Sequence, residues 1–299
     1  MTFRPTFSSR VFLFLLVAST LWGVALPSRG QGLLPYTPEF DDEALRERGA
    51  RLADEAALLL LDRRLEDALA RVKLATQLDP SNARAWLLLG DLQIQFQNFD
   101  EALVALSKAN ELEPGNPRVL FALGTIYFRQ GKYEESVAQL EAGLKLEPDS
   151  FGALFDLGNA HYRLGEFEEA IARYQQAFDL RQDFWPAVNN IGLVRYEQGE
   201  VEEALRLWQE AVDINNQEAE PQLAIAVALY THGDREEGLA KGIAALQLDA
   251  RYADLKFLEE NLWGDRLLAD AATFFRHPRI QGSLPDDNTP TSLQLEPTP

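Results

Sequence analysis

A repeat of 34 residues runs through most of the chain and limits the folds that it can adopt. Two series of glycines and one series of alanines follow this spacing. The first glycine series is Gly90, Gly124, Gly158 and Gly192; the second is Gly131, Gly165, Gly199 and Gly233; the alanines are Ala109, Ala177, Ala211 and Ala245. A fixed period of roughly 20 to 50 residues is typical of solenoids, in which each unit packs only against its neighbours. We therefore expect a one-dimensional array rather than a single central core.

Each unit combines two stretches of helical periodicity. In residues 151–184 the apolar positions are Leu154, Leu157, Ile171, Tyr174 and Phe178. Gly158 lies inside the first stretch, where glycine costs about 1 kcal/mol relative to alanine, so its recurrence predicts close approach of a neighbouring helix. Gly165 follows that stretch and is expected to end the helix in a left-handed conformation, as are its three counterparts. The acidic pair Glu168 and Glu169 then begins the second helix, where carboxylates match the helix dipole.

These features resemble the tetratricopeptide repeat family, whose 34-residue unit is a pair of antiparallel helices. The resemblance covers residues 49–252 and implies an all-α, right-handed superhelical solenoid of helix-turn-helix repeats. The six units are 49–82, 83–116, 117–150, 151–184, 185–218 and 219–252. The first and last units depart from the pattern, with Ala56 and Ala226 in place of the interior glycine. Such departures are expected at the ends of an array, where one face has no neighbour.

Residues 1–30 have the features of an export signal. A basic start precedes the uncharged stretch 11–28, and the small residues Ser28 and Gly30 predict cleavage before Gln31. The alternative is an uncleaved membrane anchor, since 18 residues are near the lower limit of about 17 to 25 for a spanning helix. In either case the repeats are predicted to lie outside the cytoplasm, in a periplasm or lumen.

The segments that flank the repeats differ from them in composition. Residues 31–48 are predicted to form a linker and the start of the first helix. Residues 253–282 continue the helical pattern and are interpreted as a pair of capping helices, whereas residues 283–299 are rich in proline and predicted to be disordered. The segment from Asn261 to Ile280 also resembles the ends of exported repeat proteins in photosynthetic bacteria, such as the tetratricopeptide repeat proteins of cyanobacteria.

The resemblance also implies which residues line a groove. In the family, positions 2, 5, 9 and 12 of each first helix point into the concave side. These positions, together with Asn190, nominate Leu87, Asp91, Phe121, Thr125, Phe128, Phe155, Asn159, Tyr162, Asn189, Asn190, Tyr196 and Tyr230. Aromatic rings supply rigid contact area, and side-chain amides can pair with both the N–H and the C=O of a peptide. We therefore expect partner proteins to bind there through extended segments or helices, although the same residues can also reflect ancestry alone.

Charge limits the other partners. The chain has 28 Lys and Arg against 47 Asp and Glu, a formal net charge of −19. Such a surface repels nucleic acids and anionic lipids, so we expect no nucleic-acid partner, and membrane attachment only if the N-terminal segment stays uncleaved. Among the groove positions only Arg84 and Arg118 are basic, which argues against a clamp for acidic chaperone tails.

No motif in the sequence predicts catalysis. The chain has no cysteine, and His161, His232 and His277 lie at different repeat phases without metal-ligand spacing. We therefore expect neither a metal nor a cofactor. The predicted function is a non-enzymatic protein-binding scaffold. The alternatives are a self-associating structural protein, or a factor for the assembly or maintenance of membrane complexes such as photosynthetic ones.

Overall fold

The computed structural model describes residues 41–284, and these residues are helical with short connections. The predicted export signal and the first ten residues of the linker lie outside the described residues, as do residues 285–299 of the predicted disordered tail. Within residues 41–284, no helix is both long enough and apolar enough to cross a membrane.

Twelve helices form six consecutive pairs, one for each repeat. Their bounds are α1 Asp42–Leu61, α2 Leu65–Leu78, α3 Ala83–Gln95, α4 Phe99–Leu112, α5 Pro117–Arg129, α6 Tyr133–Leu144, α7 Phe151–Arg163, α8 Phe167–Leu180, α9 Trp185–Glu197, α10 Val201–Ile214, α11 Ala219–His232 and α12 Arg235–Leu248. The helices of a pair pack on each other, and the second helix of each pair packs on the first helix of the next. The fold is therefore an all-α solenoid, as the period predicts.

The first helices also pack on one another, α1 on α3, α3 on α5 and α5 on α7. These contacts place α1, α3, α5 and α7 along one side of the stack, and the surface of all the first helices, α9 and α11 included, is here called the inner face. Polar side chains fix where some of these helices begin. Asn82 accepts a hydrogen bond from the N–H of Ala85 at 3.0 Å, and Asn116 accepts one from Arg118 at 3.0 Å, ahead of Pro117 at the first position of α5.

The interior glycines lie where the two helices of a unit approach each other most closely. A Cβ atom built on Gly158 would lie 2.6 Å from the Tyr174 ring, and one built on Gly192 would lie 2.5 Å from the Trp208 indole. Gly90 and Gly124 face leucines in the same way. The predicted close approach is confirmed, and the facing side chain belongs to the second helix of the same unit.

The glycines of the second series end three of the first helices in the left-handed conformation. The φ angles of Gly131, Gly165 and Gly199 are 74°, 75° and 88°. The prediction is wrong for Gly233, whose φ is −139°. The last repeat differs because α11 continues one residue further than the other first helices, so that Gly233 is itself the C-cap, and Asp234 then caps α12 through its side chain.

The C-terminal segment, residues 250–284, is more broken than the predicted pair of capping helices. It consists of a 3₁₀ turn, Ala250–Ala253, and the helices α13 Leu255–Glu260, α14 Asp265–Phe275 and α15 Pro278–Gln281. Helix α14 packs on α9 and α11, both of which belong to the inner face. Its apolar side is buried through Leu267, Ala271, Phe274 and Phe275. The segment therefore covers the inner face of the last repeats instead of extending the stack.

Candidate functional site

The twelve nominated groove residues all lie on first helices, but most of them are not accessible. Those that are buried are Leu87, Asn159, Tyr162, Asn189, Asn190, Tyr196 and Tyr230. Those that are partly exposed are Asp91, Phe121, Thr125, Phe128 and Phe155. The expectation that all twelve residues line an accessible groove is therefore wrong. Phe121 also points elsewhere, because its ring packs over Gly143 on α6.

The C-terminal segment covers the aromatic residues of units 4 to 6. The hydroxyl of Tyr196 donates to Asp270 of α14 at 2.6 Å, and the Tyr230 ring packs edge-on against Phe274, with centroids 5.3 Å apart. Gly264 lies against the hydroxyl of Tyr162, because a Cβ atom there would be 2.5 Å from that oxygen. Part of the same chain thus lies where these aromatic residues are expected to meet a partner protein.

Two charged side chains of the inner face bind the backbone at the ends of the C-terminal helices that pack on it. The carboxylate of Glu197 accepts hydrogen bonds from the N–H groups of Arg266 and Leu267, both at 3.1 Å, at the start of α14. The N-cap residue there, Gly264, has no side chain for this role. At the end of α13, the Arg163 guanidinium donates to the carbonyl of Glu259 at 2.6 Å. An acid at a helix N-terminus and a base at a C-terminus both match the helix dipole.

A buried carboxylate lies beneath the turn between α13 and α14. Glu220 on α11 accepts hydrogen bonds from the indole N–H of Trp263 at 3.3 Å and from the hydroxyl of Tyr252 at 3.4 Å. Burial raises the pKa of Glu220 to about 7, while donors from Asn189, Trp263 and Tyr252 act in the opposite direction. Sequence reasoning missed this group. The available signal was weak, because an acid in the first turn of a helix, as at Glu220 ahead of the apolar run of α11, is usually exposed.

The asparagines expected to bind a partner's backbone are used within the fold. The Oδ1 atom of Asn159 accepts hydrogen bonds from the hydroxyl of Tyr174 at 2.8 Å and from the Nδ2 of Asn190 at 3.1 Å. Asn189 donates to Asn190 at 3.2 Å. These amides join the inner helices of units 4 and 5 in one buried network. Asn189 is enclosed and has a structural role, whereas Asn159 and Asn190 also line a cavity, so their part in peptide binding stays a prediction.

One part of the inner face remains open. A pocket of about 570 Å³, here called the open pocket, lies between the first helices of units 2 to 4 and the end of α13. Its lining includes Ile94, Phe99, Thr125, Phe128, Arg129, Tyr133, Arg163 and Glu260. A smaller cavity of about 260 Å³ continues past Phe128 to Phe155 and Leu262. Of the nominated residues, Thr125 and Phe128 line the open pocket, and Phe128, Phe155, Asn159 and Asn190 line the smaller cavity.

The repeats match models of one protein family. The model described as the tetratricopeptide repeat domain of cytochrome c-type biogenesis protein H matches residues 42–183, and a second tetratricopeptide repeat model matches residues 155–220. Together the two matches span more than half of the chain. The chain is a tetratricopeptide repeat protein. No curated protein sequence is significantly similar to it.

Solved structures of other tetratricopeptide repeat proteins resemble this one. The pilF protein of Pseudomonas aeruginosa is 19% identical with a TM-score of 0.59, over 69% of this chain and 94% of that one. MamA of Desulfovibrio magneticus RS-1 is 16% identical with a TM-score of 0.52, over 56% and 96%. The APC/C Cut9–Hcn1 structure is 15% identical with a TM-score of 0.60, over 82% and 46%. At these identities the likeness shows the fold alone.

The open pocket of this tetratricopeptide repeat protein has an unusual charge for so acidic a chain. Two arginines, Arg129 and Arg163, line it against one acid, Glu260. Nearby, Asp156 accepts a hydrogen bond from Thr125 at 3.3 Å. Burial raises the pKa of Asp156 to about 6, and the Thr125 hydroxyl and the Arg129 charge act against that rise. Among residues 41–284, no cluster of three or more His, Asp or Glu side chains could hold a metal ion.

Proposed function

We propose that this tetratricopeptide repeat protein is a non-enzymatic scaffold that binds a segment of a partner protein in its open pocket. The observation that supports this proposal most strongly is the partial exposure of Phe128, which lines both the open pocket and the cavity beside it. Together with Ile94 of the inner face, and with Phe99 and Tyr133 at the starts of α4 and α6, it forms an apolar wall of the pocket. Pockets of a few hundred Å³ with aromatic walls and a few polar groups are typical of ligand sites.

The open pocket is a better candidate than the covered half of the inner face. In units 4 to 6 the nominated residues already have partners within the chain, such as Asp270 for Tyr196 and Phe274 for Tyr230. A partner protein would have to replace these contacts before it could bind there. In units 2 to 4 it would meet Phe128 and Thr125 without displacing any helix.

The proposal includes a location outside the cytoplasm. The support for this part is the sequence of residues 1–30, whose basic start, uncharged stretch and small residues before Gln31 are those of an export signal. Mass determination of the protein purified from its own cells tests it. A mature N-terminus at Gln31 is expected, and a full-length chain in the soluble cytoplasmic fraction would contradict it.

Partner capture with variants of two phenylalanines on α5 tests the proposed function. Phe128→Ala removes a ring from the open pocket, while Phe121→Ala removes one that packs on α6 outside it. Circular dichroism establishes that each variant keeps its helicity. Because truncating a central aromatic contact costs about 2 kcal/mol or more, we expect Phe128→Ala to lose roughly 30-fold in partner affinity, and Phe121→Ala to lose far less. Equal capture by both variants and the parent would contradict the proposal.

Self-association is a second candidate because the first repeat exposes large apolar side chains. Leu58 and Leu61 at the end of α1 are 63% and 79% exposed, and Leu74 on α2 is 42% exposed. Within residues 41–284, no repeat packs over this side of the first unit. Sedimentation at several concentrations would detect association, and Leu58→Glu with Leu61→Glu should abolish it. A monomer at every concentration would exclude this candidate.

A further inference from the structure

We propose that the open pocket accepts an acidic segment that carries a large apolar side chain. This inference rests on the proposed function and adds the chemistry of the partner. It follows from two guanidinium groups in the pocket, from the charge of the surrounding chain and from the apolar wall of the same pocket.

The first observation concerns the partners of the two arginines. Neither Arg129 nor Arg163 has a carboxylate oxygen within 4 Å among residues 41–284, although other arginines of the inner face do, such as Arg118 with Asp91. Arg163 donates from Nη2 to the Glu259 carbonyl, but its Nε–H is buried without a hydrogen-bond partner. Two guanidinium groups without an ion-pair partner in the described chain can each take a carboxylate of a bound segment.

The second observation is the contrast between the pocket and the rest of the molecule. Over the whole chain acids outnumber bases and the formal charge is −19, whereas the open pocket has two bases and the single acid Glu260. The carboxylate of Asp156 is close enough for Arg129 to influence it, but it already accepts the Thr125 hydroxyl. The positive charge of the pocket favours a carboxylate at this place. The acidic surface around the pocket disfavours acidic segments everywhere else. Such contrast supplies specificity and register more than raw affinity.

The third observation is the apolar wall of the same pocket. Ile94, Phe99, Phe128 and Tyr133 present partly buried apolar surface, and the Phe128 and Tyr133 rings pack with centroids 5.5 Å apart. A leucine or aromatic side chain of the partner would cover this surface while a neighbouring carboxylate meets Arg129. A purely acidic segment would leave the wall exposed to water, so we expect both kinds of side chain in the partner.

Three labelled peptides and two charge-reversal variants test the inference. The probes are fluorescein-labelled decapeptides in which leucine alternates with aspartate, with asparagine or with lysine. Arg129→Glu reverses a charge in the pocket. Lys132→Glu reverses the same charge on an exposed residue outside it, three positions away on the same repeat. Binding is followed by fluorescence anisotropy with the full chain at low ionic strength, because exposed charge pairs are screened by salt.

We expect the aspartate peptide to bind about fivefold more tightly than the asparagine peptide and more than about tenfold more tightly than the lysine peptide. Arg129→Glu should remove that preference, and Lys132→Glu should change each affinity by less than about twofold. Equal binding of the three peptides, tightest binding of the lysine peptide, absence of binding, or equal effects of the two variants would overturn the inference. In those cases, weaker partner capture by Phe128→Ala would still support the proposed function. If Phe128→Ala captured partners as well as the parent protein, both the proposed function and this inference would be wrong.

Discussion

The indole N–H of Trp263 donates a hydrogen bond to the buried carboxylate of Glu220, 3.3 Å away and 43 positions earlier in the chain. This contact joins the C-terminal segment to the inner face of the last repeat. With the contacts of Glu197 to α14 and of Tyr196 to Asp270, it covers the groove of units 4 to 6. Under the proposed function, partner binding is thereby confined to the open pocket of the earlier units.

Replacing Trp263 by phenylalanine should destabilise the protein. The change removes a donor from a fully buried carboxylate, and an unpaired polar group of this kind costs about 1 to 3 kcal/mol. Trp185→Phe is the matched control, since Trp185 is half-buried and makes no side-chain hydrogen bond among the described residues. Urea unfolding followed by circular dichroism measures both. If Trp185→Phe lowered the free energy of unfolding as much as Trp263→Phe does, the hydrogen bond to Glu220 would have no special role in stability.

The raised pKa of Glu220 predicts how stability depends on pH. Its folded value of about 7 lies above the ordinary value of 4.5, so the folded chain holds the proton more tightly than the unfolded chain. The stabilisation is complete below pH 4.5 and declines as the pH rises through 7, with a slope of at most about 1.4 kcal/mol per pH unit. Asp91 and Asp156 have pKa values raised by burial to about 6 and contribute with the same sign at lower pH.

Glu220→Gln isolates that contribution because glutamine stays neutral at every pH. Between pH 6.5 and 7.5 the unfolding free energy of the parent protein should fall more steeply than that of the variant. Above pH 8 the variant should be at least as stable as the parent. Parallel stability curves over this interval would show that Glu220 does not titrate there.

Two glycines of α7 should respond to alanine in opposite directions. In Gly158→Ala the new methyl group would lie 2.6 Å from the Tyr174 ring, whose hydroxyl is fixed by Asn159. Overpacking of this kind costs about 1 to 3 kcal/mol. A Cβ atom at Gly152 meets nothing within 4 Å, so Gly152→Ala should stabilise the helix by up to about 1 kcal/mol. Equal thermal stability of the two variants would contradict the proposed helix contact.

The left-handed turn position predicts a stabilising substitution. Gln97 occupies, one repeat earlier, the place of Gly131, and its φ is 59°. A non-glycine residue in this conformation costs roughly 1 kcal/mol, so Gln97→Gly should raise the midpoint of urea unfolding and Gly131→Ala should lower it. If Gln97→Gly lowered the midpoint, the entropy of the unfolded chain would outweigh the strain.

The repeat itself could be predicted from the sequence because its signals are local and periodic. Gly158 and Tyr174 belong to one unit, and the same contact recurs through the middle of the array. The turn geometry extends even to Arg63 and Gln97, which adopt positive φ angles without being glycine. Packing of the helix pair sets the backbone there and overrides the preference of the individual residue.

The covered half of the groove could not be predicted because its contacts are distant in sequence and occur once. Tyr196 and Asp270 are 74 positions apart, and Glu197 and Leu267 are 70 apart. No period relates the C-terminal segment to the repeats that it covers. Family positions identified the correct inner-face residues, but they carried no information on whether another part of the chain was bound to them.

An engineered disulfide tests most directly whether the C-terminal segment occupies the groove. A Cβ atom on Gly264 lies 2.5 Å from the Cγ of Glu197, which places the two Cβ positions within about 4 Å, the separation that a disulfide requires. The chain has no cysteine of its own, so Glu197→Cys with Gly264→Cys creates a single possible pair. Glu197→Cys with Gly282→Cys is the control, because Gly282 has only Pro278 near its Cβ position. Peptide mapping after mild oxidation should find the first pair joined within one molecule and the second still reduced. Free thiols or links between molecules in the first variant would contradict the covered groove.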